Sequence, residues 1–328
     1  MTSQTAACLL FLTAMTACGG RTDVSSDAPS SPEIDTGERG VVTSLLTEGE
    51  RIYYVSNDGR VSVTDAVTGE TTLLCEIPIQ GLNETVALAL DADWVYFTFL
   101  PEGAPTYGLF RVPKTGGTPE PIASGRIDNV FVDETGLYWT KYDSYWPKHE
   151  VFRRRPDGTT LSLGMVDEVY NDLRGIFRGK AGLLVSSGAA LFAFDIEGAG
   201  ATMLSDVVGI SFPFERDGAL FYNVDYGMQR GLYRASLDGT MAQRLYEGTF
   251  QRVITDGVQW VFTVPTEMEA DIFGASYPDG ERSFVYHSPV YTSERAVALT
   301  KTRLVLGTAW WEFDAANIQI LRRDELGL

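Results

Sequence analysis

The chain has 328 residues, 44% hydrophobic and 12% aromatic, which is enough apolar material for a sizeable core and too much for a disordered chain. It carries 26 basic and 44 acidic residues, a formal net charge of −18, so its surface repels nucleic-acid phosphates and anionic lipid headgroups, and neither is expected as a partner. Such a surface also serves solubility.

Residues 1–17 hold an uncharged apolar run from Ala6 to Ala17, too short to span a bilayer and matched to the h-region of a secretory signal. The run ends Leu12-Thr13-Ala14-Met15-Thr16-Ala17-Cys18-Gly19-Gly20. Small residues directly before a cysteine resemble the lipobox of bacterial lipoproteins. The resemblance implies cleavage before Cys18 and acylation of its thiol and amine. Several acyl chains on one residue give stable anchoring, at ~0.8 kcal/mol for each buried methylene. Gly19, where inner-membrane retention signals have Asp, resembles the outer-membrane signal. The expected location is the cell envelope, as an outer-membrane lipoprotein; a plain signal peptide with a soluble periplasmic or secreted product is the alternative.

Residues 18–40 continue GGRTDVSSDAPSSPEIDTGERG after the cysteine. Ser, Pro, Gly and Asp dominate, and such a segment cannot bury enough surface to offset its ordering entropy, so it reads as a flexible tether. Beyond it only Cys75 remains as a side-chain thiol. It lies in the strand-like run TTLLCEI and reads as a small buried hydrophobe.

From residue 41 to 328 a repeat of about 41 residues takes over. Gly117, Gly158, Gly198, Gly239 and Gly280 follow one another at intervals of 41, 40, 41 and 41, the signature of a β-propeller with one four-stranded blade per repeat. Aromatic and β-branched strands recur as IYYV (52–55), VYFT (95–98), LYWT (137–140), LLVS (183–186), LFYN (220–223), WVFT (260–263) and LVLG (304–307). Each is preceded by a first strand, such as VALALDAD (86–93) or RVITDG (252–257), and followed by a third, such as VFRRRP (151–156) or LYRASL (232–237). Hairpin turns such as Asp157-Gly158, Asp238-Gly239 and Asp279-Gly280 supply the positive φ of two-residue loops. A more polar outer strand closes each unit. The count predicts an all-β, seven-bladed propeller; six blades with one irregular unit is the alternative. After Ile318–Arg323 the last unit has barely an outer strand left, and whether residues before Val41 supply it is open.

The turn motif DETGLYWTKYD (133–143), with DADWVYFTF and RDGALFYNVD, resembles YWTD-type propeller repeats, and LFRVPKTGGTPEPIASG (109–125) is similar to bacterial lipoprotein propellers. The resemblance implies fold and no chemistry.

The chemistry-bearing constellations are sparse. The sequence has no G-x-S-x-G, H-E-x-x-H or C-x-x-C. His149 and His287 are isolated and read as surface residues. Asp91, Asp133, Asp217 and Asp256 all stand just before second strands and read as turn residues. Arg153, Arg154 and Arg155 read as surface partners of acidic neighbours. Neither a metal nor a cofactor is expected.

Loops joining second and third strands gather on one face of a propeller. Here they are tight in blades one and four and long elsewhere, with aromatics and acids: Tyr107, Tyr142, Asp143, Tyr145, Trp146, Tyr226, Trp310, Trp311 and Glu312. Large flat side chains give binding area at low entropy cost, and the neighbouring acids favour cationic or hydroxyl-rich ligands. Local packing at the blade ends is the competing role for these aromatics. The sequence therefore points to a monomeric, non-enzymatic binding or scaffold module for a protein, peptide or glycan of the envelope. The alternative is a polysaccharide lyase or glycoside hydrolase using facing carboxylates, whose separation sequence cannot supply.

Overall fold

The computed structural model describes residues 41–78, 87–100, 107–143, 148–167, 173–180, 182–187, 190–225, 227–266, 270–288, 292–308 and 318–328. These form seven antiparallel sheets, each a run of sequence-adjacent strands; six have four strands and the last has three. The chain is a seven-bladed β-propeller. The only helix among the described residues is one 3-10 turn, Gly227–Gln229.

The second strand of each blade shows why the sequence folds this way. In blade one it is Arg51–Ser56. Tyr53 and Val55 pack towards blade two with Leu88, Val95 and Phe97. Ile52 and Tyr54 point the other way, towards blade seven, with Ala296, Val305 and Ile320. A strand buried on both faces cannot alternate apolar with polar residues, so these segments read as continuous apolar runs. The same division separates Tyr138 from Trp139 and Val261 from Trp260 and Phe262. One apolar cluster fills each seam of the ring.

The glycines of the hairpin turns take the expected positive φ with one exception, but the loops at Asp157-Gly158 and Asp238-Gly239 have three residues and not two: Arg155 N–H donates to the Thr159 carbonyl and Ser236 N–H to the Thr240 carbonyl. Gly158 and Gly239 take φ of 88° and 81°, where a Cβ would be strained. Gly280 does not have positive φ; that turn contains a cis Tyr277–Pro278 bond. Asp91 accepts from the amides of Asp93 and Trp94, Asp133 from Thr135, and Asp256 from Val258 and Gln259, so these carboxylates are turn formers. Asp217 itself takes a left-handed φ of 50°. Cys75 is buried and not in a disulfide, and burial pushes its thiol up to about 12, which fits an inert apolar role.

Among the described residues the ring closes by packing between blades one and seven. Thr47 Oγ1 donates to the Leu299 carbonyl at 2.8 Å, and a Cβ on Gly307 would lie 2.7 Å from Ala296 and 2.8 Å from Val42. Blade seven is thin. After its third strand, Ile318–Arg322, the chain turns instead of adding an outer strand. Arg323 fastens that turn to Asp256 of blade six, 2.7 Å away, and to its own blade by donating to the Thr300 carbonyl at 3.0 Å. Leu326 and Leu328 join the apolar seam beneath it.

Two sequence expectations are corrected. His149 is no surface residue, being 1% exposed. Its strand, Lys148–Arg154, alternates partly and fully buried positions, with His149, Val151 and Arg153 on the buried face. Arg153 is likewise buried. It crosses the seam between blades three and four to the carbonyls of Thr135 and Ile196 and to Glu197. Arg155 does remain a surface partner, 2.5 Å from Glu197.

Candidate functional site at the channel mouth

Each inner strand starts on the face that carries the loops between second and third strands. That face surrounds one end of the central channel. The channel holds a cavity of about 760 Å³ lined by the inner strands of blades one to six, among them Ser44, Asn129, Phe212, Glu215 and Arg252.

In blade three the inner strand is Arg126–Asp133 and the second is Gly136–Asp143. Their register places Tyr142 opposite Arg126, and the third strand brings His149 opposite Tyr142. The Tyr142 ring lies 4.9 Å from the Arg126 guanidinium and 5.1 Å from the His149 ring. Asp128 ties the group together, 3.2 Å from Arg126 Nε and 2.9 Å from His149 Nε2. Burial alone raises the Asp128 carboxyl. The His149 hydrogen bond and the Arg126 charge outweigh it and hold the carboxyl below its usual value of 3.8. An Asp–His pair can orient an imidazole for proton transfer. At 1% exposure this imidazole is closed to a substrate arriving from solvent, so the arrangement braces the blade end and presents the outer face of Arg126, which is 53% exposed.

The second cluster crosses blades five and six. The inner strand of blade five, Ile210–Arg216, shifts register between Ser211 and Phe214. Pro213 has no N–H to give to the ladder, and Phe212 takes a left-handed φ of 48°. Pro213 crowds Gly175 of blade four, where a Cβ would meet it at 2.8 Å. Phe212 thereby meets Arg252, the first residue of the inner strand of blade six, with the guanidinium 4.2 Å from the ring centre.

The two ends of the channel differ. At the far end the charges are consumed within the fold: Glu215 accepts from the Lys180 amide, and Arg216 donates to the carbonyls of Thr255 and Asp256. At the loop end, arginine recurs within the first four residues of four inner strands: Arg126, Arg174, Arg252 and Arg295. Side-chain positions are described for Arg126 and Arg252.

Of the residues singled out from sequence, Tyr142 enters the site directly. Tyr107 is half-buried on the same face, its carbonyl accepting from the Gly125 amide at 2.8 Å. Asp143 ends its strand opposite Lys148; its side chain lies outside the described set. Tyr145, Trp146, Tyr226, Trp310, Trp311 and Glu312 lie outside the described residues, as does Cys18. Sequence reasoning missed Arg126, Asp128, Phe212 and Arg252. The available signal was arginine recurring at the starts of first strands. His287 is a surface residue as expected, 2.7 Å from Asp271. Among the described residues no group of three or more His, Cys, Asp or Glu side chains could hold a metal ion.

No protein-family model matches the chain, and no curated protein matches it. Among solved structures it is similar to YCF48 bound to the D1 peptide, at 9% identity over 87% of this chain and 95% of that one, with a TM-score of 0.60. It is also similar to the computationally designed Ika8 protein, at 12% identity over 87% of this chain and 97% of that one, TM-score 0.53. A protein from Lactobacillus plantarum matches at 12% identity over 87% of this chain and 95% of that one, TM-score 0.52. At these identities the likeness shows the fold alone.

Proposed function

We propose that the protein is a non-enzymatic binding or scaffold module of the cell envelope, anchored through acylated Cys18, which holds an extended protein segment or peptide at the loop end of its channel. The observation that carries this reading is the contrast between the two channel ends. At one end Arg216 is held on backbone carbonyls; at the other Arg252 lies on the Phe212 ring in the lining of a cavity of about 760 Å³, and Arg126, paired with Asp128, lies on Tyr142. Aromatic and arginine side chains are the residue types that most often anchor binding surfaces. YCF48, of the same fold, is bound to the D1 peptide; it supports the capacity of such a ring to take a peptide and transfers no residue to this chain. In the sequence Trp146 and Trp310 belong to the segments joining second and third strands of blades three and seven, which are three steps apart one way round the ring and four the other, so a ligand using both would be an extended one.

Affinity capture from the native envelope tests the reading. Trp146→Ala with Trp310→Ala is expected to reduce capture of the principal partner about tenfold or more, since truncating an aromatic hot spot costs ≥2 kcal/mol of binding, while the melting temperature stays within a degree or two. Loss of melting temperature with unchanged capture would assign the tryptophans to packing, and capture of glycan alone would replace the peptide. In the same preparation Cys18→Ala should move the protein from the membrane to the soluble fraction; a variant that stays membrane-bound, beside a wild type without lipid mass, removes the anchor.

A further inference from the structure

We propose that blades three to five carry an oxidant-consuming surface: Met165, Met203, Met228 and Met241 are sulfoxidation sites, and the substrate is a hypohalous acid. The inference is independent of the binding reading and of what the loop face holds.

The distribution of sulfur is the first ground. Seven of the 328 residues are methionine. Four of them are described, and all four are more than half exposed: 58% for Met165 and for Met203, 96% for Met228 and 83% for Met241. Among the described residues nine large hydrophobic side chains are exposed, and these are four of the nine. No described methionine enters a seam of the ring. Leucine is close to methionine in volume, yet Leu73 is the only leucine among the nine. Size and hydrophobicity therefore do not account for the sorting. What separates the two residues is the thioether.

Local geometry does the sorting residue by residue. In the outer strand of blade three, Thr160–Asp167, Leu163 is the extra residue of a bulge and turns into the seam, whereas Met165 stays outside, opposite Glu150. In that of blade four, Ala201–Ser205, Leu204 is the bulge residue and packs against the seam, whereas Met203 beside it faces out. Met228 tops the turn Gly227–Gln229, whose first and last carbonyls accept from Arg230 Nε at 3.0 Å and from the Tyr233 hydroxyl at 2.7 Å. Met241 stands at a left-handed φ of 53° in the hairpin before the outer strand of blade five.

The described thiol is treated in the opposite way. Cys75 is 6% exposed and burial keeps it protonated, whereas the thiolate is the form that oxidants attack. Trp139 and Trp260, also oxidisable, are 4% and 0% exposed. A thioether has no proton to lose, so access decides its rate. Sulfoxidation turns an apolar side chain polar and disrupts cores; at these four positions the new oxygen meets water and the seams are untouched. In the step, the sulfur lone pair takes chlorine from hypochlorous acid and hydroxide leaves. Water then adds to sulfur and chloride departs. The net products are a sulfoxide, a chloride ion and a proton, with sulfur oxidised by two electrons and chlorine reduced by two. A dithiol reductase reverses the change, becoming a disulfide as the oxygen leaves in water.

Titration of the folded chain with hypochlorous acid, read by peptide mass mapping and thermal melting, tests the proposal. One equivalent per described methionine should place oxygen on Met165, Met203, Met228 and Met241 before Cys75 or Trp260 is modified. The melting temperature should stay within about two degrees, and methionine sulfoxide reductase with a dithiol should remove the added oxygen. Replacing all four by leucine should leave the fold intact, because the positions are exposed. The same dose should then reach other side chains and lower the melting temperature by ~3 °C or more. Met1, Met15 and Met268 lie outside the described residues and are mapped separately. Oxidation of Cys75 or Trp260 first, a wild-type melting temperature that falls as sulfoxide accumulates, or a leucine variant that withstands the dose as wild type does overturns the proposal.

Discussion

Trp260→Ala is expected to cost about 4 kcal/mol of unfolding free energy, in the range for deleting a fully buried large aromatic. Trp260 is 0% exposed and sits on the seam between blades five and six. Its ring lies 5.4 Å from Phe221, 5.2 Å from Tyr277 and 6.0 Å from Phe214. Its indole N–H donates to the carbonyl of the half-buried Pro278 at 3.0 Å, so truncation opens a cavity and also removes a hydrogen bond. Trp260→Phe keeps most of the volume and should cost roughly half as much. Denaturant unfolding reads both. A loss under about 1 kcal/mol in Trp260→Ala would mean that this seam can collapse around the gap and that the seams are not the main source of stability.

The second expected result is a pH-dependent loss in Asp128→Asn. The Asp128 carboxylate joins a buried His149 to Arg126, and hydrogen bonds to a charged group contribute about 2 kcal/mol. Its folded pKa lies below the ordinary 3.8. A group with a depressed folded pKa contributes stability that is fully present above its unfolded value and is lost as pH falls through its folded value. The variant should therefore be about 2 kcal/mol less stable than wild type at pH 7, and the gap should narrow as pH drops below 3.8. Other lowered carboxylates, Asp65 and Asp256 among them, destabilise both proteins in acid, so the difference between the curves is the quantity to read. A gap independent of pH would show that the interaction depends on shape and not on charge.

The architecture was legible because its signals are local. Turn residues such as Asp256 and Gly239 act within a few positions, and doubly buried second strands such as Trp260 to Thr263 are continuous apolar runs. The inner strands were harder to read. Their side chains divide between a seam and the channel, so RVITDG looks like a short mixed strand and nothing in it announces that Arg252 stacks on a ring 40 positions earlier, at Phe212. Phe212 itself depends on a bulge at Pro213 that sequence hints at only through the missing N–H. His149 was misjudged from its neighbours, Lys148 and Glu150, although counting in twos from Val151 puts it on the buried face. Tyr142 was singled out for its loop and proves to pack against that histidine, ring to ring at 5.1 Å. The remaining loop aromatics rest on the sequence argument and on the capture experiment.

The claim that one face of the ring binds is tested most directly by site-specific photo-crosslinking in the native envelope. Met228, 96% exposed in the blade-five turn Gly227–Gln229, sits on the loop face. Lys301, exposed between the first and second strands of blade seven, sits on the opposite one. With a benzophenone amino acid at either position, a discrete higher-mass adduct is expected from 228 and none from 301. Adducts from 301 alone, or equally from both, would contradict it.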